Sequence, residues 1–204
     1  RRAARRVLDL GCGGGVQALL AARHAETVVG IDLSPRALAF ARFNALLNGA
    51  RNVEWREGDL YAPVADERFD LVVSNPPYVV SPESWLLFRD GGEAGDGICA
   101  RIVAGLDSHL AEGGFATVLA NWGLREGEHW SDRPRRWVEG TGCDAWILRS
   151  EVQDPLTYAA VWTRGPDEAG YRDALERWLS HYAALGIRSL AMGLLVLRRR
   201  AGGA

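Results

Sequence analysis

Four consecutive residues, Asn75-Pro76-Pro77-Tyr78, close an apolar run from Phe69 to Val73. The run reads as a buried strand. Proline supplies no ladder N–H, so the strand must stop there, and the Pro-Pro pair holds the chain beyond it stiff and extended. A side-chain amide, main-chain carbonyls and a flat ring therefore meet at the carboxyl end of a strand. In an open α/β sheet, that end is where ligands bind. Such a group can accept hydrogen bonds from a planar –NH2 while the ring stacks on its face. The plain alternative is a strand followed by a proline-rich turn.

A second group with chemical meaning lies near the start. Gly11-Cys12-Gly13-Gly14-Gly15 separates a short apolar strand, residues 6–10, from a stretch with helical spacing, residues 16–23. Glycines there let the main chain approach a ligand without side chains in the way, and N–H groups at the helix start face it. Asp32 ends the next strand, residues 27–31. A carboxylate at that place can take both hydroxyls of a ribose, as in the dinucleotide-binding folds. The nicotinamide pattern G-x-G-x-x-G fails at Val16 when counted from Gly11. Counted from Gly13, it runs through Gly15 to Ala18, which some dinucleotide sites allow. The turn alone leaves both a nicotinamide and another adenosine cofactor open.

The elements that must hold these groups follow from periodicity and punctuation. Ser34-Pro35 starts a helix that ends near Asn48-Gly49. Residues 53–56 form a third strand that leads into Gly58-Asp59-Leu60. A glycine-rich loop, residues 91–97, precedes a helix over 98–110. Residues 115–120 are a fifth strand, and 126–139 a helix with Pro134 arguing for a break. Residues 143–149 and 158–162 both read as strand. Residues 167–184 have strong helical spacing stopped by Gly186, and 190–197 form a last strand. Alternating strands and helices imply a parallel sheet with helices on both faces, and the last strand is expected to be antiparallel.

The 204 residues are 48% hydrophobic and 25% charged, with net charge −2. That is enough for one full core, and the chain reads as a single domain, 1–204, with a helical insertion near 167–186. No global charge draws it to nucleic acid or membrane. The arginines at 1, 2, 5 and 6 and at 198–200 read as solvated ends. Cys12, Cys99 and Cys143 are odd in number and widely spaced, which argues against a disulfide framework or a zinc site and fits a reducing cytoplasm. No metal site is expected, and no membrane-length apolar run occurs. The chain opens on Arg with its first strand almost at once, so an upstream segment is expected either to have been removed or to belong to a longer parent chain.

Taken together, Val7-Leu8-Asp9-Leu10-Gly11-Cys12-Gly13-Gly14-Gly15, Gly30-Ile31-Asp32, Gly58-Asp59-Leu60 and Asn75-Pro76-Pro77-Tyr78 resemble the class I S-adenosylmethionine-dependent methyltransferases. Order and spacing both match over roughly the first 120 residues. The resemblance implies a Rossmann-like fold: a doubly wound, mostly parallel seven-stranded sheet with the last strand antiparallel. It implies S-adenosyl-L-methionine as cofactor. Gly11, Gly13 and Gly15 would shape the methionine and ribose pocket, and Asp9 would organise the methionine end. Asp32 would take the ribose hydroxyls, and Asp59 the adenine amino group, with Leu60 beside it. Asn75 and the Pro76 carbonyl would hold the target –NH2, and Tyr78 would stack on it.

The Asn-Pro-Pro-Tyr form is typical of branches that methylate glutamine amide N5, adenine N6 or cytosine N4. Within these, residues 91–97 are similar to the Gly-Gly-x-Asp-Gly region of the protein glutamine N5-methyltransferases that act on release factors. An insertion before Asp96 departs from that pattern, and the helix over 167–184 departs from that family's tight final hairpin. The leading expectation is therefore methylation of a protein glutamine, with a translation factor as one carrier. Adenine N6 of RNA or DNA is the rival. The other classes are an NAD-dependent oxidoreductase, in which Asn75-Pro76-Pro77-Tyr78 has no task, and a non-catalytic cofactor-binding module.

Overall fold

The computed structural model describes residues 4–83, 96–165 and 167–202. The chain runs β1 (Arg6–Leu10), α1 (Val16–Ala21), β2 (Thr27–Asp32), α2 (Pro35–Leu47), β3 (Val53–Glu57), β4 (Phe69–Ser74), α3 (Gly97–His109), β5 (Leu110–Arg125), α4 (Asp132–Val138), β6 (Cys143–Gln153), α5 (Pro155–Trp162), α6 (Glu168–Ala184) and β7 (Ile187–Arg199). Among the described residues the strands form one seven-stranded sheet in the order β3-β2-β1-β4-β5-β7-β6. β7 is antiparallel to both its neighbours, and the pairs from β3 to β5 are parallel.

The order reverses between β1 and β4. Their carboxyl ends therefore lie side by side with no connection passing over them, the crevice in which open α/β sheets bind ligands. Leu10 is in register with Ser74, and the Ser74 hydroxyl donates to the Leu10 carbonyl at 2.8 Å. That buried bond sets the two strand ends at one height.

One sheet face carries Leu8, Leu10, Ile31, Val72, Val118 and Leu195 against Ile102, Val103 and Leu106 of α3. Alternation along each strand sends the other residues to the opposite face, where Val7 and Val28 pack on Ala18 and Ala21 of α1. On the outer edge strand, Trp146 and Leu148 stay exposed. A separate apolar cluster joins Val79 and Val80, just past β4, to Tyr158, Trp178 and Tyr182 of α5 and α6. Among the described residues no helix is long and apolar enough to cross a membrane.

Local signals explain most boundaries. Ser34 caps α2 by accepting from the Ala37 N–H at 3.3 Å, with Pro35 at the first helical position. Pro134 does not break α4. It stands third in the helix, where its missing N–H would have had no partner anyway. β5 runs on to Arg125, past the expected end at 120, because β7 pairs with it from Phe115 to Arg125.

One expectation is overturned. Residues 158–162 are not a strand but the end of helix α5. Tyr, Val and Trp favour a pleated surface, yet Asp154 accepts from the Thr157 N–H at 2.9 Å and Pro155 opens the first turn. These start a helix whose Tyr158 and Ala159 are buried. The helical segment between β6 and β7 therefore begins at Pro155 rather than near 167. Of the glycine-rich loop over 91–97, residues 91–95 lie outside the described residues.

Trp122 is fully buried in β5, and its indole N–H donates to the Trp130 carbonyl at 2.8 Å. Trp122→Ala should remove about 3–5 kcal/mol of unfolding free energy in urea melts, as large aromatic deletions in a tight core do. A loss below about 1 kcal/mol would contradict this packing.

Candidate active site

The carboxyl ends of β1 to β4 carry the residues with chemical potential. After β1 the chain turns through Gly13 at φ 53° and Gly15 at φ 84°, conformations that a side chain would strain. At Gly15 an added Cβ would also lie 2.6 Å from the Trp55 ring, whereas at Gly13 it would meet nothing within 4 Å. The turn is thus packed behind and open in front. A Cβ at Gly11 would sit 3.9 Å from Pro76 Cα, so the glycine turn and the proline loop face each other across the strand reversal.

Asp32 organises this turn. One carboxylate oxygen accepts the Gly13 N–H at 2.8 Å and the other accepts the Ser34 N–H at 2.8 Å. Each oxygen keeps further acceptor capacity. The Asp32 carbonyl also accepts the Gly58 N–H at 3.1 Å, which brings the turn after β3 alongside.

Asp9 lies beneath, fully buried. One oxygen accepts the Ala18 N–H at 2.8 Å, and the other has no partner among the described residues. Burial pushes its pKa up to about 7; the Ala18 N–H pulls it down, and the Asp32 charge pushes it up further. A buried acid with one open oxygen directly under a ligand-facing turn has unused capacity for a cationic or hydrogen-bonding group.

In the turn after β3, Leu60 holds φ 45° without being glycine, a conformation that stores strain. Asp59 is engaged. Arg101 of α3 pairs with it at 2.7 Å, with both side chains about half exposed. An exposed pair of this kind contributes little to stability, and it leaves the second Asp59 oxygen available. Nothing in the sequence spacing marks Arg101, since the pair joins residues on different elements.

In the proline loop, Pro76 is buried and the Asn75 side chain is exposed, with no hydrogen bond among the described residues. Tyr78 is half-buried and touches both the α3-side core and the cluster around α5 and α6. The structure thus gathers Asp9 and Asp32 around the turn of Gly11, Gly13 and Gly15, ties Gly58 of the Asp59-Leu60 turn to the Asp32 carbonyl, and sets Pro76 opposite Gly11.

Residues 1–129 match the family described as Methyltransferase small domain. The chain belongs to that family. It is 39% identical over 134 residues to the release factor glutamine methyltransferase of Geobacter sulfurreducens, which covers 59% of this chain and 46% of that protein. It is 35% identical over 167 residues to the ribosomal protein uL3 glutamine methyltransferase of Bradyrhizobium diazoefficiens, 74% of this chain and 52% of that protein. The matched stretches span about half the length of these curated relatives. Among solved structures, the ribosomal protein L11 methylase of Lactobacillus delbrueckii subsp. bulgaricus shares the fold, with TM-score 0.57 at 20% identity over 98% of this chain and 72% of that one. Family and fold imply S-adenosyl-L-methionine as the methyl donor, which sets aside the nicotinamide cofactor that the glycine spacing alone leaves open. The open Asp9 oxygen, the clear space before Gly13 and the remaining acceptor capacity of Asp32 fit a donor that carries an ammonium group and a ribose.

The raised Asp9 pKa has a consequence for stability. The folded chain holds a proton on Asp9 up to about pH 7, whereas the unfolded chain releases it near the ordinary value of 3.8. The Asp9 contribution is therefore greatest at low pH and is lost as pH rises through that interval, on the order of 1 kcal/mol per pH unit. Asp9→Asn should flatten this slope in urea melts run between about pH 4.5 and 7.5. Parallel curves for parent and variant would contradict it.

Proposed function

We propose that residues 1–204 form one S-adenosylmethionine-dependent N-methyltransferase domain, with α5 and α6 as an insertion, and that it methylates a planar nitrogen, the side-chain amide of a protein glutamine. The observation that carries this reading is the placement of Asn75: exposed, free of hydrogen bonds among the described residues, and followed by a proline whose Cα faces Gly11. The named activities of the relatives support the glutamine acceptor, and net charge −2 offers no general attraction for a polyanion. A translation factor or ribosomal protein is the class of carrier, and the cytoplasm, where three buried thiols stay reduced, is the compartment.

S-adenosylmethionine supplies an electrophilic methyl group on a sulfonium. Under this reading, the main chain at Gly11, Gly13 and Gly15 leaves room for it. Asp32 accepts from its ribose hydroxyls, Asp9 receives its ammonium end, and the second oxygen of Asp59 accepts from the adenine amino group with Leu60 alongside. The difficulty lies with the acceptor, because an amide nitrogen's lone pair is delocalised into its carbonyl. The Asn75 side-chain oxygen and the Pro76 carbonyl accept its two N–H bonds, and the Tyr78 ring lies flat on the amide. As nitrogen loses planarity its protons grow more acidic and both hydrogen bonds strengthen, which favours the transition state over the ground state. Orientation supplies much of the rest. No strong base is needed before attack, because the proton passes to solvent water only after the nitrogen has become positive.

Asn75→Ala should lower turnover by about 100-fold or more while the donor Kd moves less than about threefold; unchanged turnover would remove Asn75 from the reaction. Incubation with labelled S-adenosylmethionine and a cell extract tests the acceptor. Label that survives nuclease, is lost to protease and is recovered as N5-methylglutamine after digestion supports the proposal. Label lost to nuclease and recovered as N6-methyladenine overturns the protein acceptor.

A further inference from the structure

The proline loop is held from behind by side chains that the chemistry above does not use. Val80 lies two residues past Tyr78 and is fully buried. Its N–H donates to the Tyr158 hydroxyl of α5 at 3.3 Å, and its carbonyl accepts from the Tyr182 hydroxyl of α6 at 2.8 Å. Both polar groups of one residue are thus bonded to two tyrosines from two helices, all three residues being within the buried class. Asn121 of β5, also buried, donates to the same Tyr158 hydroxyl at 2.7 Å. One turn before Tyr182 on the same helix face, Trp178 donates its indole N–H to Glu83 at 3.3 Å. The Tyr158 and Tyr182 rings meet edge to face with centroids 6.2 Å apart.

We infer that the α5–α6 segment is a clamp on the acceptor loop, with Tyr158 and Tyr182 as positioning residues for methyl transfer. This rests on the function proposed above. Both hydroxyls bond the main chain of Val80. Each fixes the main chain at Val80, and a stiff Pro76-Pro77-Tyr78 run carries that constraint back to the Asn75 side chain and the Pro76 carbonyl. A cradle that must grip two N–H bonds through a change in nitrogen geometry gains from a loop that cannot shift, because misplacement by about 1 Å can cost around 100-fold in rate. The buried Val80 groups explain why phenols stand here: an apolar ring would leave a donor and an acceptor unsatisfied.

Tyr158→Phe, Tyr182→Phe and the double variant keep the rings and remove only the hydroxyls. The double variant should lose about tenfold or more in kcat, keep the acceptor KM and the donor Kd within about threefold, and let the Val80 amide exchange with deuterium about 100-fold faster. Leu175 of α6 is half-buried and packs against the same apolar cluster, so Leu175→Ala, which thins that cluster without touching these bonds, should lower the Tm yet leave kcat and Val80 exchange near the parent values. Should the hydroxyl-free variants lower only the Tm, with kcat and Val80 exchange unmoved, the clamp is wrong and the tyrosines are mere packing. Exchange at Val80 is read without any methyl acceptor. If the glutamine acceptor proves wrong, accelerated exchange still establishes the restraint on the loop, and unchanged exchange still refutes it.

Discussion

The site depends on the two backbone N–H bonds that Asp32 accepts. A glycine turn left to itself samples many conformations. Here the carboxylate bonds the Gly13 N–H and the Ser34 N–H at once, so the end of β2 fixes both the turn after β1 and the entry to α2. The same residue's carbonyl holds the turn after β3 through Gly58. One acid therefore sets the relative position of three loops that lie on three strands.

The strand order makes that local arrangement useful. Reversal between β1 and β4 sets the open side of the glycine turn against the proline loop, and the Ser74–Leu10 bond prevents the two ends from sliding. Beneath them sits Asp9, an acid kept out of water and only half satisfied. Such a group destabilises the fold when charged unless a cation or hydrogen-bond donor meets it. The strained Leu60 lies on the same rim. Burial, strain and an unpaired oxygen thus gather at one edge of the sheet, as expected where a structure serves chemistry as well as stability.

How much of this was legible beforehand follows from the range of each interaction. Gly11 to Gly15, Asp32 and the Ser34-Pro35 helix start are recognisable because their partners lie within one βαβ unit, and short-range geometry is written in neighbouring residue types. Asn75-Pro76-Pro77-Tyr78 is legible for the same reason. Residues 158–162 mislead because their side chains favour a strand, while the decision falls to Asp154 and Pro155 just upstream. The pairing of Arg101 with Asp59 and the two tyrosines on Val80 join residues from distant parts of the chain. No periodicity or spacing signals such contacts, and only the packed fold reveals them.

The claim on which the account turns is that the pocket opened by the glycines and Asp32 takes a sulfonium nucleoside. Calorimetric titration of the chain with S-adenosylmethionine and, separately, with NAD tests it most directly, with Asp32→Ala alongside. The account predicts saturable binding of S-adenosylmethionine with Kd on the order of micromolar, no detectable heat with NAD, and at least about tenfold weaker binding when the ribose acceptor is lost. Binding of NAD in preference to S-adenosylmethionine, or S-adenosylmethionine affinity indifferent to Asp32, would contradict it.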